Sequence, residues 1–304
     1  MRPTVAIIIL CYNGVADTLA CLRSLDTVAY PRDRLQVIVV DNASSDGTVE
    51  AVGAAYPGIT ILQTGANLGY AAGNNAGLRY ALERGFDYAL LLNNDVEVAP
   101  DFLGALVAAA EADPQVGVAG PTIYYDRAPN LIWSAGGAID WRRGSSAMRG
   151  LDTPDRGQYA RVAEVDFVSG CALLCKRAAI EWAGLLDERF FMYYEETEWC
   201  VRIARAGFRC IHVPQSHIWH KITPERQAAS PRVNYYMVRN RLLFLHIARA
   251  PFAAWLHALL LQDLRTCLSW SLRPRWRGRR AERDALIRAW ADFWRGRFGV
   301  ASHG

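Results

Sequence analysis

Several features are missing from this sequence, and each absence removes a class of protein. The chain of 304 residues has no run of about 18 uncharged apolar residues, so we expect no membrane-spanning helix. Its first ten residues read as a strand, which predicts that no secretory signal peptide is present. The seven cysteines have no framework spacing, and four lie among apolar residues: Cys11, Cys171, Cys175 and Cys200. They favour buried thiols over disulfides or a zinc site, and therefore a reducing cytoplasm.

Lysine is nearly absent, because Lys176 and Lys221 are the only two, although a compositional bias of the genome explains this as well as function does. The net charge of +4 is unevenly spread. From residue 265 onwards ten arginines accompany three acidic residues. Within this part, residues 285–298 form a predicted basic helix that carries aromatic side chains. This composition favours a helix lying in a membrane interface, and the alternative is a docked helix with a solvated basic face.

The first 120 residues alternate between apolar strand-like runs and helical segments. We predict strands at 4–10, 35–40, 59–63 and 88–92, and helices at 16–25, 48–55, 71–84 and 101–112. Because these strands are apolar throughout, both faces must be covered, which indicates an α/β fold with a mostly parallel sheet flanked by helices. The pattern then loosens into an irregular loop-and-hairpin region. Later elements are predicted at 165–168 (strand), 177–183 and 195–206 (helices) and 208–213 (strand), with helices throughout beyond residue 230.

Polar residues follow three of the predicted strands. The apolar run 90–92 ends abruptly in Asn93, Asn94 and Asp95, while Tyr12 and Asn13 follow the first strand and Asp41 follows the second. Ligands bind beyond the carboxyl ends of parallel strands, where an acid can hold a divalent cation and the cation a diphosphate. Asp41 is placed to accept hydrogen bonds from a nucleobase or ribose. Each cluster alone is also ordinary turn or cap chemistry, but three at one edge favour a site.

Two glycines stand one turn apart on the third predicted helix, at Gly73 and Gly77. Each costs about 1 kcal/mol of helix stability relative to alanine. That cost indicates a close approach by either the sheet or a ligand. The pattern is not the G-x-G-x-x-G dinucleotide fingerprint, which follows none of the predicted strands.

Three acids lie within four residues at the start of the helix predicted at 195–206. Glu198 is spaced to pair with Arg202, with Glu195 on the same face. Glu196 falls on the apolar side beside Trp199, where desolvation raises a carboxyl pKa and makes a better general base. The helix macrodipole alone also explains acids at this end. Glu196 is therefore a candidate general base. The alternative is that it is one of several acids that simply favour the start of a helix.

Two histidines follow the last predicted strand, at His217 and His220. A single histidine is usually structural. Here, however, Asp95 alone would leave a cation short of ligands, and either histidine could complete the shell.

Taken together, these residues resemble the inverting glycosyltransferases of family 2, which have the GT-A fold, and in particular the bacterial rhamnosyltransferase and galactofuranosyltransferase group. The resemblance extends from Val5 to about Arg241. It rests on the order and spacing of five landmarks, at residues 40–48, 67–77, 92–96, 190–202 and 235–240. The remaining expectations about cofactor, substrates and site follow from this resemblance.

The resemblance implies a nucleotide-sugar donor and a Mn²⁺ or Mg²⁺ cofactor. The donor-binding residues would be Tyr12, Asn13, Asp41, Asn67, Gly73, Asn75, Asn93, Asn94 and Asp95. Asp95 would bind the metal from the position of the family's Asp-x-Asp motif, and His220 would match the later metal-binding histidine. Asn93 replaces the first aspartate of that motif, which removes one charge.

The same resemblance implies which residues serve the acceptor. Glu196 would match the acid that deprotonates the acceptor hydroxyl. The family usually carries Glu-Asp where this chain has Glu195 and Glu196, so Glu195 remains a second candidate. The pocket for the acceptor would be lined by Trp133, Phe167, Ser169, Gly170, Tyr193 and Trp199, because aromatic faces suit sugar rings.

We therefore expect a GT-A domain over residues 1–229, with a donor half at 1–120 and an acceptor and catalytic half at 121–229. A basic helical region at 230–304 would contact the membrane. The expected reaction moves a sugar from a UDP- or dTDP-sugar, with dTDP-rhamnose as one candidate, to a hydroxyl of a glycan or polyprenyl-linked acceptor. It would serve cell-surface polysaccharide synthesis in the cytoplasm, at the inner face of the plasma membrane, without a nucleic-acid partner.

Two other functions stay open. An inactive nucleotide-sugar-binding scaffold protein should have lost the metal or base acid, yet Asp95 and Glu196 are both present. A sugar nucleotidyltransferase should carry a basic glycine-rich loop after the first strand, yet residues 12–17 contain neither lysine nor arginine.

Overall fold

The computed structural model describes residues 2–222 and 230–301. Its strands are β1 (Val5–Cys11), β2 (Leu35–Asp41), β3 (Thr60–Gln63), β4 (Tyr88–Asn93), β5 (Val96–Val98), β6 (Val116–Tyr125), β7 (Ala128–Ser134), β8 (Gly137–Asp140), β9 (Ser145–Met148), β10 (Thr153–Pro154), β11 (Ala163–Glu164), β12 (Ala172–Lys176) and β13 (Arg209–His220). Its α-helices are α1 (Val15–Leu25), α2 (Thr48–Ala55), α3 (Gly69–Glu83), α4 (Phe102–Glu111), α5 (Arg177–Ala183), α6 (Glu195–Arg205), α7 (Pro231–Ile247), α8 (Phe252–Leu256), α9 (Arg265–Leu272) and α10 (Arg280–Trp294). A π-helical stretch, His257–Leu264, joins α8 to α9.

One central sheet organises the fold, with strand order β10-β7-β6-β12-β4-β1-β2-β3. β1 pairs in parallel with both β2 and β4, and β2 with β3, as the first 120 residues predict. β12 then joins antiparallel to both β4 and β6. The sheet is therefore parallel in its first half and mixed overall. Helices cover both faces, which explains why its central strands are apolar throughout.

The second half of the sheet differs from the sequence expectation in three places. β6 runs without interruption to Tyr125, whereas the sequence predicts that an irregular loop-and-hairpin region begins at residue 121. Gly120 interrupts the apolar pattern there because a side chain would collide with Val168. The strand predicted at 165–168 makes only an isolated bridge at Phe167, and the continuous strand is β12. β13 extends seven residues beyond the end predicted for it and brings His220 to the sheet edge.

The C-terminal helices pack on the domain and on each other. α10 packs along α7, and its Phe293 is buried while the indole of Trp290 donates to Asp263 at 2.9 Å. α10 is thus a docked helix, which is the alternative given by the sequence, although its Trp294 remains exposed. Within residues 2–222 and 230–301, no helix is long and apolar enough to cross a membrane. The predicted boundary at residue 229 and the final residues 302–304 fall outside the described parts.

Candidate active site

Three strand ends meet at one edge of the sheet. Cys11 lies opposite Asp41 in the β1–β2 register, and Leu10 lies opposite Asn93 in the β1–β4 register. The residues that follow these positions therefore share one edge, as the sequence predicts. We call this edge, with Asn13, Asp41 and Asp95, the donor edge.

The loops of the donor edge are tied together by short hydrogen bonds. The backbone of Asn13 has a φ of 59°, and its N–H donates to the Ser44 hydroxyl at 2.8 Å. The Ser45 N–H donates back to Asn13 Oδ1 at 2.9 Å. The buried Asp41 carboxylate accepts from the Ser44 N–H at 3.1 Å, and Tyr12 is exposed beside this loop. The loops after β1 and β2 therefore form one rigid unit.

The carboxylate of Asp46 closes the loop after β1. Its Oδ2 accepts from the N–H groups of Gly14 at 2.6 Å and Val15 at 3.3 Å, and its Oδ1 accepts from Thr48. The Thr48 hydroxyl and these backbone donors lower the pKa of Asp46, since they stabilise its charged form against a smaller opposing effect of burial. A side chain of the protein therefore occupies the amides at the start of α1.

Asp95 and His220 face each other across the end of β4. Asp95 Oδ1 lies 3.2 Å from His220 Nε2, because the β5–β13 ladder brings His220 opposite Val96. The two atoms are not aligned as a hydrogen bond, so the buried Oδ1 has no hydrogen-bond partner in the described parts of the chain, although the Asp95 side chain is 37% exposed. The other candidate histidine, His217, packs against Tyr124 and does not reach Asp95.

The electrostatics of this pair are those of an ion pair. Burial lowers the pKa of His220, but Cys171 and Asp95 outweigh burial and raise it to about 10. Burial raises the pKa of Asp95, but the contacts with His220 lower it further. The indole ring of Trp133 stands edge-on to His220, with ring centroids 4.9 Å apart. His220 is therefore held in one orientation toward Asp95.

Four of the other predicted donor residues contact the protein itself. Asn67 Oδ1 accepts from the Gly69 N–H at the start of α3, and the Asn94 amide donates to Thr18. A side chain at Gly73 would collide with Leu10. The amide of buried Asn75 bridges to residues 186 and 188. Gly73 and Asn75 therefore pack α3 against its neighbours, which corrects their assignment to the donor, while Asn93 remains half-buried at the end of β4.

The three acids of α6 have distinct surroundings. Glu198 pairs with Arg202 at 2.7 Å, as predicted. Glu195 does not share in that ion pair: it is 4% exposed, and its Oε2 is buried without a hydrogen-bond partner within the described residues. Burial, reinforced by the nearby charge of Glu196, raises the pKa of Glu195 well above its ordinary value. Burial also raises the pKa of Glu196, to about 7, while that side chain stays partly exposed.

The residues predicted to line an acceptor pocket divide into accessible and enclosed groups. Tyr193 is exposed and Trp133 is partly exposed. Trp199 is fully buried and its indole donates to Gly184 O at 2.7 Å, while Phe167 packs against the backbone of Gly137. No acceptor can reach those two rings, which corrects their assignment.

The segment Ser169 to Cys171 connects the donor edge to the acids. The Asn93 N–H donates to Cys171 O at 2.9 Å, and the Tyr70 hydroxyl donates to Gly170 O at 2.5 Å. The buried Ser169 hydroxyl accepts from the Cys171 N–H, so it stiffens the segment. Tyr70 was not predicted from the sequence. Burial and the charges of Glu195 and Glu196 raise its pKa, so it stays neutral beside them.

Comparison with known proteins defines the class. A mannosyltransferase from Pyrobaculum calidifontis, in complex with GDP-Man and Mn²⁺, matches with a TM-score of 0.61 and 21% identity over 97% of this chain and 88% of that one. The fold is thus the GT-A fold expected from the sequence. The model of Glycosyl transferase family 2 matches residues 6–181, and the chain belongs to this family. That match ends before Glu195.

Two relatives of known activity are similar to this chain in sequence. An N-acetylglucosaminyl-diphospho-decaprenol L-rhamnosyltransferase of Mycobacterium tuberculosis is 32% identical over 208 residues, which cover 61% of this chain and 66% of that protein. The match therefore spans just under two thirds of that relative. The dTDP-rhamnosyl transferase RfbF of Shigella flexneri is 24% identical over 88% of both chains.

Proposed function

We propose that this protein transfers a sugar from a nucleotide-diphosphate donor to a hydroxyl of a glycan or lipid-linked acceptor, with inversion at the anomeric carbon. The observation that carries the proposal is the placement of Asp41, Asp95 and His220 at one sheet edge. Residues 169–171 and Tyr70 connect this edge to the surroundings of Glu196. The activities named for the two rhamnosyltransferase relatives favour dTDP-rhamnose as donor over a UDP-sugar. The first of those activities also favours a polyprenyl-diphosphate acceptor.

The donor edge supplies the contacts for the nucleotide. Asp41 is fixed by the Ser44 N–H and retains acceptor capacity for a base N–H or a ribose hydroxyl. Tyr12 stands exposed beside it, where its ring can cover a base. Asn13 is engaged with Ser45 in the loop after β2, and Asn94 with Thr18 of α1, so these two side chains shape the edge.

The residues present fit a divalent cation. Asp95 Oδ1 and His220 Nε2 lie 3.2 Å apart, and Oδ1 lacks a hydrogen-bond partner among the described residues, so one cation could lie between them in place of the His220 proton. Within the described ranges no cluster of three or more potential ligands surrounds them. A cation held by two protein groups and by substrate phosphates is typical of Mg²⁺ and similar ions. When bound, Mn²⁺ or Mg²⁺ would neutralise charge on the departing diphosphate.

Glu196 is the better candidate for the general base. It is partly exposed, so an acceptor hydroxyl can reach it, and its pKa of about 7 lies where a base works at neutral pH. Glu195 is enclosed, and burial raises its pKa well above the ordinary value, which favours the form without a second negative charge beside Glu196. Glu196 would accept the proton of the attacking hydroxyl as the bond to the anomeric carbon forms. Exposed Tyr193 and partly exposed Trp133 would flank the acceptor sugar.

An apolar stripe on the C-terminal helices supports membrane contact. Six large apolar side chains recur every four residues along α8, the π-helical stretch and α9, and all are exposed: Phe252, Leu256, Leu260, Leu264, Leu268 and Leu272. A four-residue spacing drifts around an α-helix, and the wider π-helical turns bring it back to one face. We call this set the 252–272 stripe. The arginine-rich residues 273–283 follow it directly, which suits an anionic lipid surface.

Liposome sedimentation tests the membrane contact. We expect the wild type to pellet with phosphatidylglycerol vesicles, less so at high salt. The double variant Leu260→Glu with Leu264→Glu should lose most of this binding, whereas Trp182→Glu, which alters an exposed aromatic residue of α5, should retain it. Equal pelleting of all three proteins would contradict the 252–272 stripe as the contact. A positive result would support a place at the inner face of the plasma membrane.

A transfer assay tests the reaction itself. The protein is incubated with dTDP-rhamnose or a UDP-sugar, Mn²⁺ or Mg²⁺, and polyprenyl-diphosphate-linked N-acetylglucosamine. We expect release of the nucleoside diphosphate together with a glycosylated lipid whose new bond has the opposite anomeric configuration to the donor. Retained configuration, or no product from any donor, would contradict the proposal.

The two other functions are less well supported. A nucleotidyltransferase needs open amides after β1 to hold a triphosphate, but Asp46 occupies those of Gly14 and Val15. It would release pyrophosphate from dTTP and a sugar phosphate, which a separate incubation with those two substrates can measure. A scaffold protein would bind the nucleotide-sugar without turnover.

A further inference from the structure

The turn directly before α6 has an unusual backbone. Phe191, Tyr193 and Tyr194 have φ angles of 64°, 69° and 73°, in the left-handed region. Bulky residues rarely adopt these angles, and they persist only where the surrounding structure holds them. Since α6 begins at Glu195, this 190–194 turn determines the orientation of the first helical turn and of Glu196 on it.

One fully buried side chain of α7 holds the carbonyl groups of the turn. The amide nitrogen of Asn240 lies 2.7, 2.7 and 3.0 Å from the backbone oxygens of Phe190, Met192 and Tyr193. The Nε of Arg239 donates to Asn240 Oδ1 at 2.9 Å. Reversing the amide would place Oδ1 against three carbonyl oxygens and lose the arginine contact, so only one orientation satisfies these groups.

Further contacts hold the turn from two sides. The buried guanidinium of Arg239 donates to a carbonyl of the same turn at 3.1 Å and lies over the rings of Tyr235 and Tyr236, at 5.2 and 4.9 Å. From α3, the Tyr70 N–H donates to Phe191 O at 2.6 Å. The only carbonyl that Asn240 does not reach between residues 190 and 193 is thus held from the opposite helix.

We propose that Asn240, oriented by Arg239, is a positioning residue for Glu196. By holding the 190–194 turn in its strained conformation, Asn240 keeps the carboxylate of Glu196 directed at the acceptor hydroxyl. This inference rests on the proposed transfer reaction. It also makes α7 part of the catalytic unit, although α7 lies beyond the family match at residues 6–181 and beyond the boundary predicted at residue 229.

The test compares three variants with the wild type. Asn240→Asp keeps the volume but removes the N–H donors, and we expect kcat to fall on the order of 10²-fold with little change in the KM of the donor. Amide hydrogen exchange across residues 191–198 should accelerate. Asn240→Ser retains a hydroxyl donor and should recover part of kcat. Leu106→Ala removes a buried side chain from the opposite face of the sheet, and should lower the melting temperature without changing exchange at the turn.

The outcomes separate the inference from the function on which it rests. Folded Asn240→Asp protein with wild-type kcat and wild-type exchange at the turn would overturn the role of Asn240. A loss of kcat no greater than that of Leu106→Ala, at equal thermal stability, would also overturn it. If the wild type transfers no sugar, the proposed function fails, and hydrogen exchange alone still decides whether Asn240 holds the turn.

Discussion

The donor edge and the 190–194 turn are built in different ways. At the donor edge, Asn13 and Asp41 are fixed by hydrogen bonds between loops that lie at most 32 residues apart in the chain. The turn before Glu196 is held by Asn240, about 50 residues later, and by Tyr70, far earlier. The donor edge results from parallel strands whose carboxyl ends lie side by side. The turn instead depends on two helices, α3 and α7, from distant parts of the chain. We therefore expect changes at the donor edge to alter affinity and changes at the turn to alter rate.

The largest effect should come from the base. Glu196→Gln keeps the shape of the side chain but cannot accept a proton, so we expect kcat to fall by about 10²- to 10⁴-fold while donor affinity is unchanged. Steady-state transfer kinetics and donor titration measure the two quantities. Glu195→Gln should lose less, because its carboxyl group is enclosed and burial favours its neutral form. The opposite ranking would assign the base to Glu195.

The pH profile should report the same group. A general base works only when it is unprotonated, and the pKa of Glu196 is raised to about 7. We expect kcat/KM to rise about tenfold per pH unit below 7 and to level off above it. The ordinary pKa of a glutamate carboxyl group is about 4.3. If kcat/KM instead levels off near that pH, the result would contradict a buried base.

Changes at the donor edge should be smaller and confined to binding. Asp41→Asn replaces an acceptor of hydrogen bonds from the nucleotide by a side chain that also donates, so we expect donor affinity to weaken roughly tenfold. The metal dependence of binding and kcat at saturating donor should stay close to those of the wild type. Calorimetric titration provides the affinity. A large fall in kcat would contradict the expectation that the donor edge governs affinity and the turn governs rate.

The smallest effect is on stability. The pKa of Glu195 is raised in the folded protein, so its neutral form is favoured and its contribution to stability is present below its unfolded pKa and lost as pH rises through the folded pKa. Glu195→Gln stays neutral at every pH. We expect the melting temperature of this variant, measured relative to that of the wild type, to increase between pH 5 and pH 8. Parallel curves would show that Glu195 is not buried as described.

The sequence predicted the donor edge better than it predicted the rest of the site. Apolar runs that end in Asn or Asp place Asp41 and Asp95 at strand ends. The register of the parallel strands then brings these ends together at one edge of the sheet. Helical spacing correctly paired Glu198 with Arg202, but it also counted Glu195 among the salt-bridged residues, whereas Glu195 is buried without such a partner in the described residues. Spacing along one helix does not show that the first turn is covered by neighbouring segments.

Other errors share this physical cause. Asn75 and Trp199 read as binding residues because amides and aromatic rings suit ligands, yet both satisfy their polar atoms with backbone groups in the interior. Asn240 lies within the landmark at residues 235–240, but the sequence assigned it no role. Its partners are carbonyl groups of a strained turn, and no periodicity in the sequence marks a carbonyl that needs a donor.

Calorimetric titration of nucleotide-sugars tests the central claim most directly. A panel of UDP- and dTDP-sugars is titrated into the wild type and into Asp95→Ala, with and without Mn²⁺. We predict that one nucleotide-sugar binds in a metal-dependent manner. Asp95→Ala should abolish this dependence, because Asp95 and His220, 3.2 Å apart, are the proposed protein ligands. Absence of binding by every donor, or equal binding by Asp95→Ala with Mn²⁺, would contradict the donor edge as the nucleotide-sugar site.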